Sequence, residues 1–388
     1  MLSLLLLNSI APLFFHTFYC VDIMPSSATK NLSDPIQLIY AGGTFGSYGR
    51  PLAPLSAEIF LPTLQKLLSA QDSTNNLPTV SWLENALIKD SSQLTPSDFI
   101  HFYQLLLNAY TKGDRCFVLI TGTDTLSYLG AFLAEAFAGS DICIVLTASM
   151  RPLLDSEILH SYNIDEHSDA WDNLTDSLKL AAAGESGVKV SFGGEAWPAQ
   201  TVQKIHSHDL MAFTGHSRAA YPANSYIKNL PDTRRQHWLD DQQDLLSSIQ
   251  TRAENASVHA LYCLPNDVSM INNQLQALLS QPPCGIILLG FGAGNIPYSA
   301  ALAETLTLAH ERGHMVISAS QCPFGGVSDS YAAGSWQYEH HVIAGGRLTT
   351  PAIYARLLWL LLRYDSPARR RQRWLNNVNQ TSTSIKKR

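Results

Sequence analysis

An apolar run over residues 36–41 stops at Gly42, Gly43 and Thr44, and a similar run over 116–121 stops at Gly122 and Thr123. A short continuous apolar run reads as a strand buried on both faces, and such strands belong to parallel sheets covered by helices. Glycines at the end of a strand let the backbone turn sharply and admit a ligand to the main chain. Open α/β sheets bind their ligands at these carboxyl ends. Thr44 is therefore a candidate nucleophile. Taken alone, each stretch reads more readily as a turn or helix cap whose threonine does no chemistry.

The spacing of the remaining runs predicts an alternation of strands and helices. Residues 48–55, rich in Gly and Pro, form a loop able to fold over a site. A helix is predicted over 56–70 with Ser56 as its cap, then a strand within 79–87. Lys89-Asp90-Ser91-Ser92 follows, and a helix starts at Thr95-Pro96 and runs to residue 110. Small hydroxyls before a helix act as caps, and they also suit a carboxylate among free backbone donors. Further strands are expected at 142–147 and 188–192, separated by helices over 125–138 and 168–183. A second set has strands at 258–263, 285–289 and 315–320 and helices over 267–280, 298–312 and 350–364. This pattern gives an α/β chain with a mainly parallel sheet, and neighbouring strands would bring Thr44 and Thr123 to one edge. At 388 residues the chain is too long for one ordinary core. We divide it into an N-terminal extension (1–35), a catalytic domain (36–214), a linker containing a helix (215–255), a smaller C-terminal α/β domain (256–366) and a basic tail (367–388).

Apolar residues make up 46% and charged residues 15%, as in a soluble globular protein, and the net charge of −6 argues against a nucleic-acid partner. Residues 369–388 hold seven Arg or Lys and no acid, which reads as a solvated end. The six cysteines form no CxxC pair and read as reduced thiols, with no disulfide framework or zinc site. His206-Ser207-His208 has a spacing that metal sites use, but only Asp209 stands by as a third ligand, so polar strand-end histidines are the reading. No phosphate-binding glycine motif follows the first strand, so nucleotide binding lacks support. Residues 2–21 are apolar, yet no Lys or Arg precedes them and no A-x-A-like cleavage site follows. We read residues 1–23 as a product of start-site choice, with Met24 as the alternative start and the protein as cytoplasmic and not membrane-bound. Export is the competing reading.

With both threonine motifs in hand, the chain resembles the bacterial asparaginase family, nearest its type I (cytoplasmic) branch. The first signature of the family, T-G-G-T-[IF]-[GA], reads Ala41-Gly42-Gly43-Thr44-Phe45-Gly46 here. The second, H-G-T-D-T-[ML], reads Thr121-Gly122-Thr123-Asp124-Thr125-Leu126. Asp90-Ser91-Ser92 falls at the substrate-carboxylate loop, and Ser149-Met150-Arg151-Pro152, residues 290–297 and Ser320-Gln321-Cys322 are similar to further family segments. The resemblance implies a two-domain fold and hydrolysis of L-asparagine to L-aspartate and ammonia, without metal or organic cofactor, in a homodimer or homotetramer. It implies that Thr44 attacks the amide carbon, that Thr123, Asp124 and Lys204 form a supporting triad, and that Gly43, Asp90, Ser91, Ser92 and Gly122 bind substrate, a set to which we add Tyr48. It also implies an allosteric role for Cys322. The loop tyrosine of the family is replaced by Leu52, with Tyr48 four residues earlier as the alternative phenol. A related amidase or glutaminase, or a non-catalytic asparagine-binding protein, are the alternatives.

Overall fold

The computed structural model describes residues 35–75, 77–155, 163–216, 230–328 and 332–383. The N-terminal half opens with β1 (Ile36–Tyr40), a small hairpin of β2 (Ser47–Tyr48) and β3 (Ala53–Pro54), and α1 (Ala57–Asn75). It continues with β4 (Val80–Trp82), α2 (Pro96–Thr111), β5 (Cys116–Ile120), α3 (Leu126–Ala136) and β6 (Cys143–Thr147). Next come α4 (Ala170–Ala182), β7 (Gly187–Phe192) and β8 (Glu195–Pro198). Six strands form one sheet in the order β4-β1-β5-β6-β7-β8, parallel throughout except for β8. Side chains alternate across it. Phe117 and Leu119 of β5 enter the core shared with α2 and α3, whereas Val118 and Ile120 enter the one shared with α1 and α4. Burial on both faces is why this strand reads as an unbroken apolar run.

β1 and β5 are neighbours, with Gln37 opposite Phe117 and Tyr40 opposite Ile120. Both strands therefore end at the same edge, and their glycine–threonine turns emerge side by side. The strand expected within 79–87 is only three residues long. Beyond it, the buried Asn85 side chain takes up the main-chain groups of Tyr40 and Leu87 in place of a ladder.

The chain then forms a short antiparallel hairpin, β9 (Gln203–Lys204) with β10 (Phe213–Thr214), and a long helix, α5 (Asp232–Ala253). α5 lays Leu239 and Ile249 into the same core as α2, α3 and α9 (Thr350–Arg363). The C-terminal half holds β11 (Val258–Tyr262), α6 (Val268–Leu279), β12 (Gly285–Gly290), α7 (Ala300–Glu311) and β13 (Met315–Ser320). α8 (Ala332–Glu339) and β14 (Ile343–Ala344) follow. Its four strands are parallel, in the order β11-β12-β13-β14. α9 is apolar nearly all round because it serves both halves. Leu358 and Trp359 join the N-terminal core, while Leu357 and Leu360 face the C-terminal sheet.

The end of the chain departs from expectation. Residues read as a solvated basic tail form α10 (Pro367–Thr383), and Trp374 is fully buried beside Ile287 and Leu357. Its arginines are not all idle. Arg370 donates to the Tyr364 carbonyl at 2.7 Å and Arg371 to that of His341 at 2.6 Å. One buried indole outweighs a basic composition. The extension before residue 35 lies outside the described residues, as does Cys20. Cys263, Cys284 and Cys322 are free thiols, and no helix among the described residues is long and apolar enough to cross a membrane.

Candidate active site

The site begins with two glycines that only glycine can replace. Gly42 and Gly43 have φ of 95° and 82°, a region that side chains rarely adopt. A Cβ on Gly42 would lie 2.5 Å from the Lys89 carbonyl oxygen, and one on Gly43 would lie 2.3 Å from Cα of Gly122. The first turn is thus pressed against the second, backbone to backbone. Thr44 opens a single 3-10 turn (Thr44–Gly46) and is half-buried. Phe45 fixes that turn by packing edge-on against Phe60, and Ser47 Oγ donates to the Gly43 carbonyl at 2.9 Å. Thr44 Oγ1 has no hydrogen-bond partner among the described residues.

On the second turn Thr123 is buried and Asp124 is open, its side chain 58% exposed. Lys204 reaches both from β9. Its Nζ donates to Thr123 Oγ1 at 2.9 Å and pairs with Asp124 Oδ1 at 2.8 Å. The three residues thus meet although the lysine lies 80 positions after the aspartate.

A third turn, Ser91–Gln93, wedges in beside them. Asp90 caps it by accepting from the Ser92 N–H at 2.8 Å. Ser91 is buried, its Oγ accepting from the Asp124 N–H at 3.3 Å and its carbonyl from Thr125 Oγ1 at 2.8 Å. A Cβ on Gly122 would lie 2.3 Å from that same Oγ, so a larger residue here would force Ser91 to shift. Asp90 and Ser92 face solvent. Gly43, Thr44, Ser91, Gly122, Thr123, Asp124 and Lys204 are therefore one interlocked group at one sheet edge.

Residues 35–229 match the family model described as asparaginase, N-terminal, and residues 257–373 match the glutaminase/asparaginase C-terminal domain. The chain belongs to the asparaginase family. It is 26% identical over 339 residues to L-asparaginase 1 of Escherichia coli (strain K12), a match covering 84% of this chain and 91% of that protein. It is 28% identical over 281 residues to the L-asparaginase of Thermococcus kodakarensis, covering 70% and 77%. In fold it is similar to L-asparaginase I from Vibrio cholerae, with a TM-score of 0.67 at 23% identity over 88% of this chain and 96% of that one.

Leu52 and Tyr48, the two loop positions singled out from the sequence, lie on one small hairpin. Leu52 stands at the tip of the β2–β3 hairpin and is 50% exposed, while Tyr48 is half-buried against the apolar cluster containing Phe60. Cys322 is exposed and lines a cleft of about 230 Å³ with Arg347, Thr349 and Gln203, the residue before Lys204. His206 accepts two backbone N–H groups, from His208 at 3.1 Å and Asp209 at 2.8 Å, and so builds the tip of the β9–β10 hairpin. Among the described residues no group of three or more His, Cys, Asp or Glu could hold a metal ion.

Sequence reasoning missed the support behind the third turn. Lys89 Nζ lies 2.8 and 3.0 Å from the two carboxylate oxygens of Asp98, which also accepts from the Thr95 N–H and hydroxyl. Burial works to raise the Asp98 pKa, but the hydrogen bonds from Lys89 and Thr95 outweigh it and hold the carboxyl below its ordinary value. Thr95-x-x-Asp98 ahead of an apolar helix is a capping-box pattern, and it was the available signal. Behind it, His101 Nε2 faces Asn85 Oδ1 at 2.8 Å. Burial lowers the His101 pKa despite the Asp98 charge, favouring a neutral ring that donates to Asn85.

Proposed function

We propose that this chain hydrolyses L-asparagine to L-aspartate and ammonia, with Thr44 as the nucleophile. The observation that carries the reading is the meeting of Lys204, Thr123 and Asp124 beside the turn bearing Thr44. Thr44 Oγ1 attacks the side-chain amide carbon and its proton passes to a neighbouring base, the task of the Thr123–Lys204 pair. Charge then develops on the amide oxygen. The N–H groups of Gly122 and Thr123 receive it, a contribution of about 2.7–4 kcal/mol per donor. The C–N bond breaks, ammonia leaves with the returned proton, and water hydrolyses the threonyl ester to aspartate and free Thr44.

Recognition uses the open side of the group. Lys204 engages Asp124 Oδ1, which leaves Oδ2 for the substrate ammonium. The hydroxyls of Ser91 and Ser92 and the turn at Asp90 receive the α-carboxylate, and Gly43 leaves room for it. No metal or organic cofactor is needed for these steps. The reading includes a cytoplasmic homodimer or homotetramer, for which exposed Tyr262, Leu264, Tyr298 and Phe324 supply apolar surface. It also includes effector binding in the cleft beside Cys322.

The test is ammonia release from L-asparagine, L-glutamine and simple acyl amides by protein made from Met24, beside Thr44→Ala. Release from asparagine that persists in Thr44→Ala would remove the nucleophile from the reading. A second reading, another amide or asparagine binding without turnover, is favoured by Leu52 at the family's tyrosine position. Calorimetric binding of asparagine with no ammonia formed would select it.

A further inference from the structure

The turn at residues 90–92 is fastened on two sides. On the side of the second threonine, Ser91 holds it through Asp124 and Thr125. On the other side, the Lys89 N–H donates to the Ala41 carbonyl at 3.1 Å, just before the Gly42–Gly43 pair. The Lys89 ammonium then spans to Asp98 in the first turn of α2. Behind these, buried Asn85 donates to the carbonyls of Tyr40 at 2.9 Å and Leu87 at 2.7 Å. The segment from the end of β1 to the start of α2 is therefore cross-linked at Tyr40, Ala41 and Asp98.

The Lys89–Asp98 pair exceeds what capping α2 requires. Thr95 and Asp98 already form a complete capping box, each side chain bonding the other's backbone N–H. The added cation comes from the residue immediately before the turn, and it closes residues 90–97 into a small ring. Asp98 is only 11% exposed at its side chain and Lys89 35%, so the pair is partly shielded from solvent. Resting on the hydrolase reading above, we infer that Lys89 is a positioning residue, whose ion pair with Asp98 holds residues 90–92 in place for the substrate α-carboxylate. It touches no reacting atom. Its loss removes binding shared by ground and transition states, which raises KM and leaves kcat alone.

The experiment compares the full chain with Lys89→Met and Lys89→Arg. In Lys89→Met, KM for L-asparagine rises about tenfold while kcat stays within about twofold, and Lys89→Arg restores most of the loss. Amide hydrogen exchange at residues 90–94 speeds up in Lys89→Met, and exchange at 121–125 does not. An unchanged KM overturns the inference, as does a joint loss of kcat and KM with faster exchange across both regions, which marks general loosening. If the wild type releases no ammonia from asparagine, the hydrolase reading fails by itself. The exchange comparison then decides: faster exchange confined to 90–94 upholds the tether, and unchanged exchange there overturns it.

Discussion

The two glycine–threonine turns have the same ingredients and opposite surroundings. Thr123 is buried, accepts a hydrogen bond from Lys204, and is followed by two residues bonded to Ser91. Thr44 is half-buried, its hydroxyl has no partner among the described residues, and it leads into a hairpin whose tip is half exposed. A nucleophilic hydroxyl must hand its proton to a base as it attacks, and one with no other partner can turn to that base, whereas a proton-handling group gains from being fixed. One sheet edge thus supplies an uncommitted hydroxyl and a preset partner. The glycines between them let the two meet at backbone contact.

The largest effect expected is that of Thr44→Ala, which lowers kcat by roughly 10³- to 10⁶-fold while asparagine binding measured by calorimetry persists. Thr123→Val and Lys204→Met each cost about 10²–10⁴-fold, since they remove proton handling and leave the attacking group in place. Single-turnover rates for the three variants settle the order. A greater loss for Thr123→Val than for Thr44→Ala would exchange the roles of the two turns. Gly43→Ala strikes both at once. The new Cβ meets Gly122 Cα at 2.3 Å from a backbone with φ of 82°. Left-handed strain alone costs about 1–2 kcal/mol, and overpacking adds about 1–3 kcal/mol. Urea unfolding reads that loss, and an unchanged midpoint would show that the turns are not pressed together.

What could be read from the sequence tracks how local its cause is. The run Cys116–Ile120 signals a strand buried on both faces, and Gly122-Thr123 after it signals a turn, because both depend on neighbouring residues alone. Lys204 could be placed only through the family resemblance, since a lysine in a polar stretch carries no mark of a partner 80 positions away. Asn85 is silent for the same reason, its partner Tyr40 lying 45 positions earlier, whereas the partner of Lys89 is only nine positions on and is marked by the capping box. α10 is hidden differently: four arginines dominate residues 367–373, and Trp374, whose buried indole docks the helix, contributes little to an average. α5 is polar on most of its surface and buries only a narrow stripe, so its packing against the core was equally faint.

The smallest effect expected is also the most informative about the open turn. Leu52 adjoins Ala53, which pairs with Tyr48 across the β2–β3 hairpin, so the two candidate positions for a phenol lie on opposite arms of one small element. At 50% exposed, Leu52 accepts a tyrosine at a stability cost within about 0.5 kcal/mol. The expectation is that a phenol there hydrogen-bonds the Thr44 hydroxyl and helps remove its proton. Leu52→Tyr is therefore expected to raise kcat several-fold, well short of the roughly 10²-fold of a full general base. Steady-state ammonia release by Leu52→Tyr, Tyr48→Phe and the double variant separates the possibilities. A gain in Leu52→Tyr that survives Tyr48→Phe means the chain works without the loop phenol and is slower for it. No gain, with a loss in Tyr48→Phe, assigns the role to Tyr48 and makes the hairpin a rewired version of the same device.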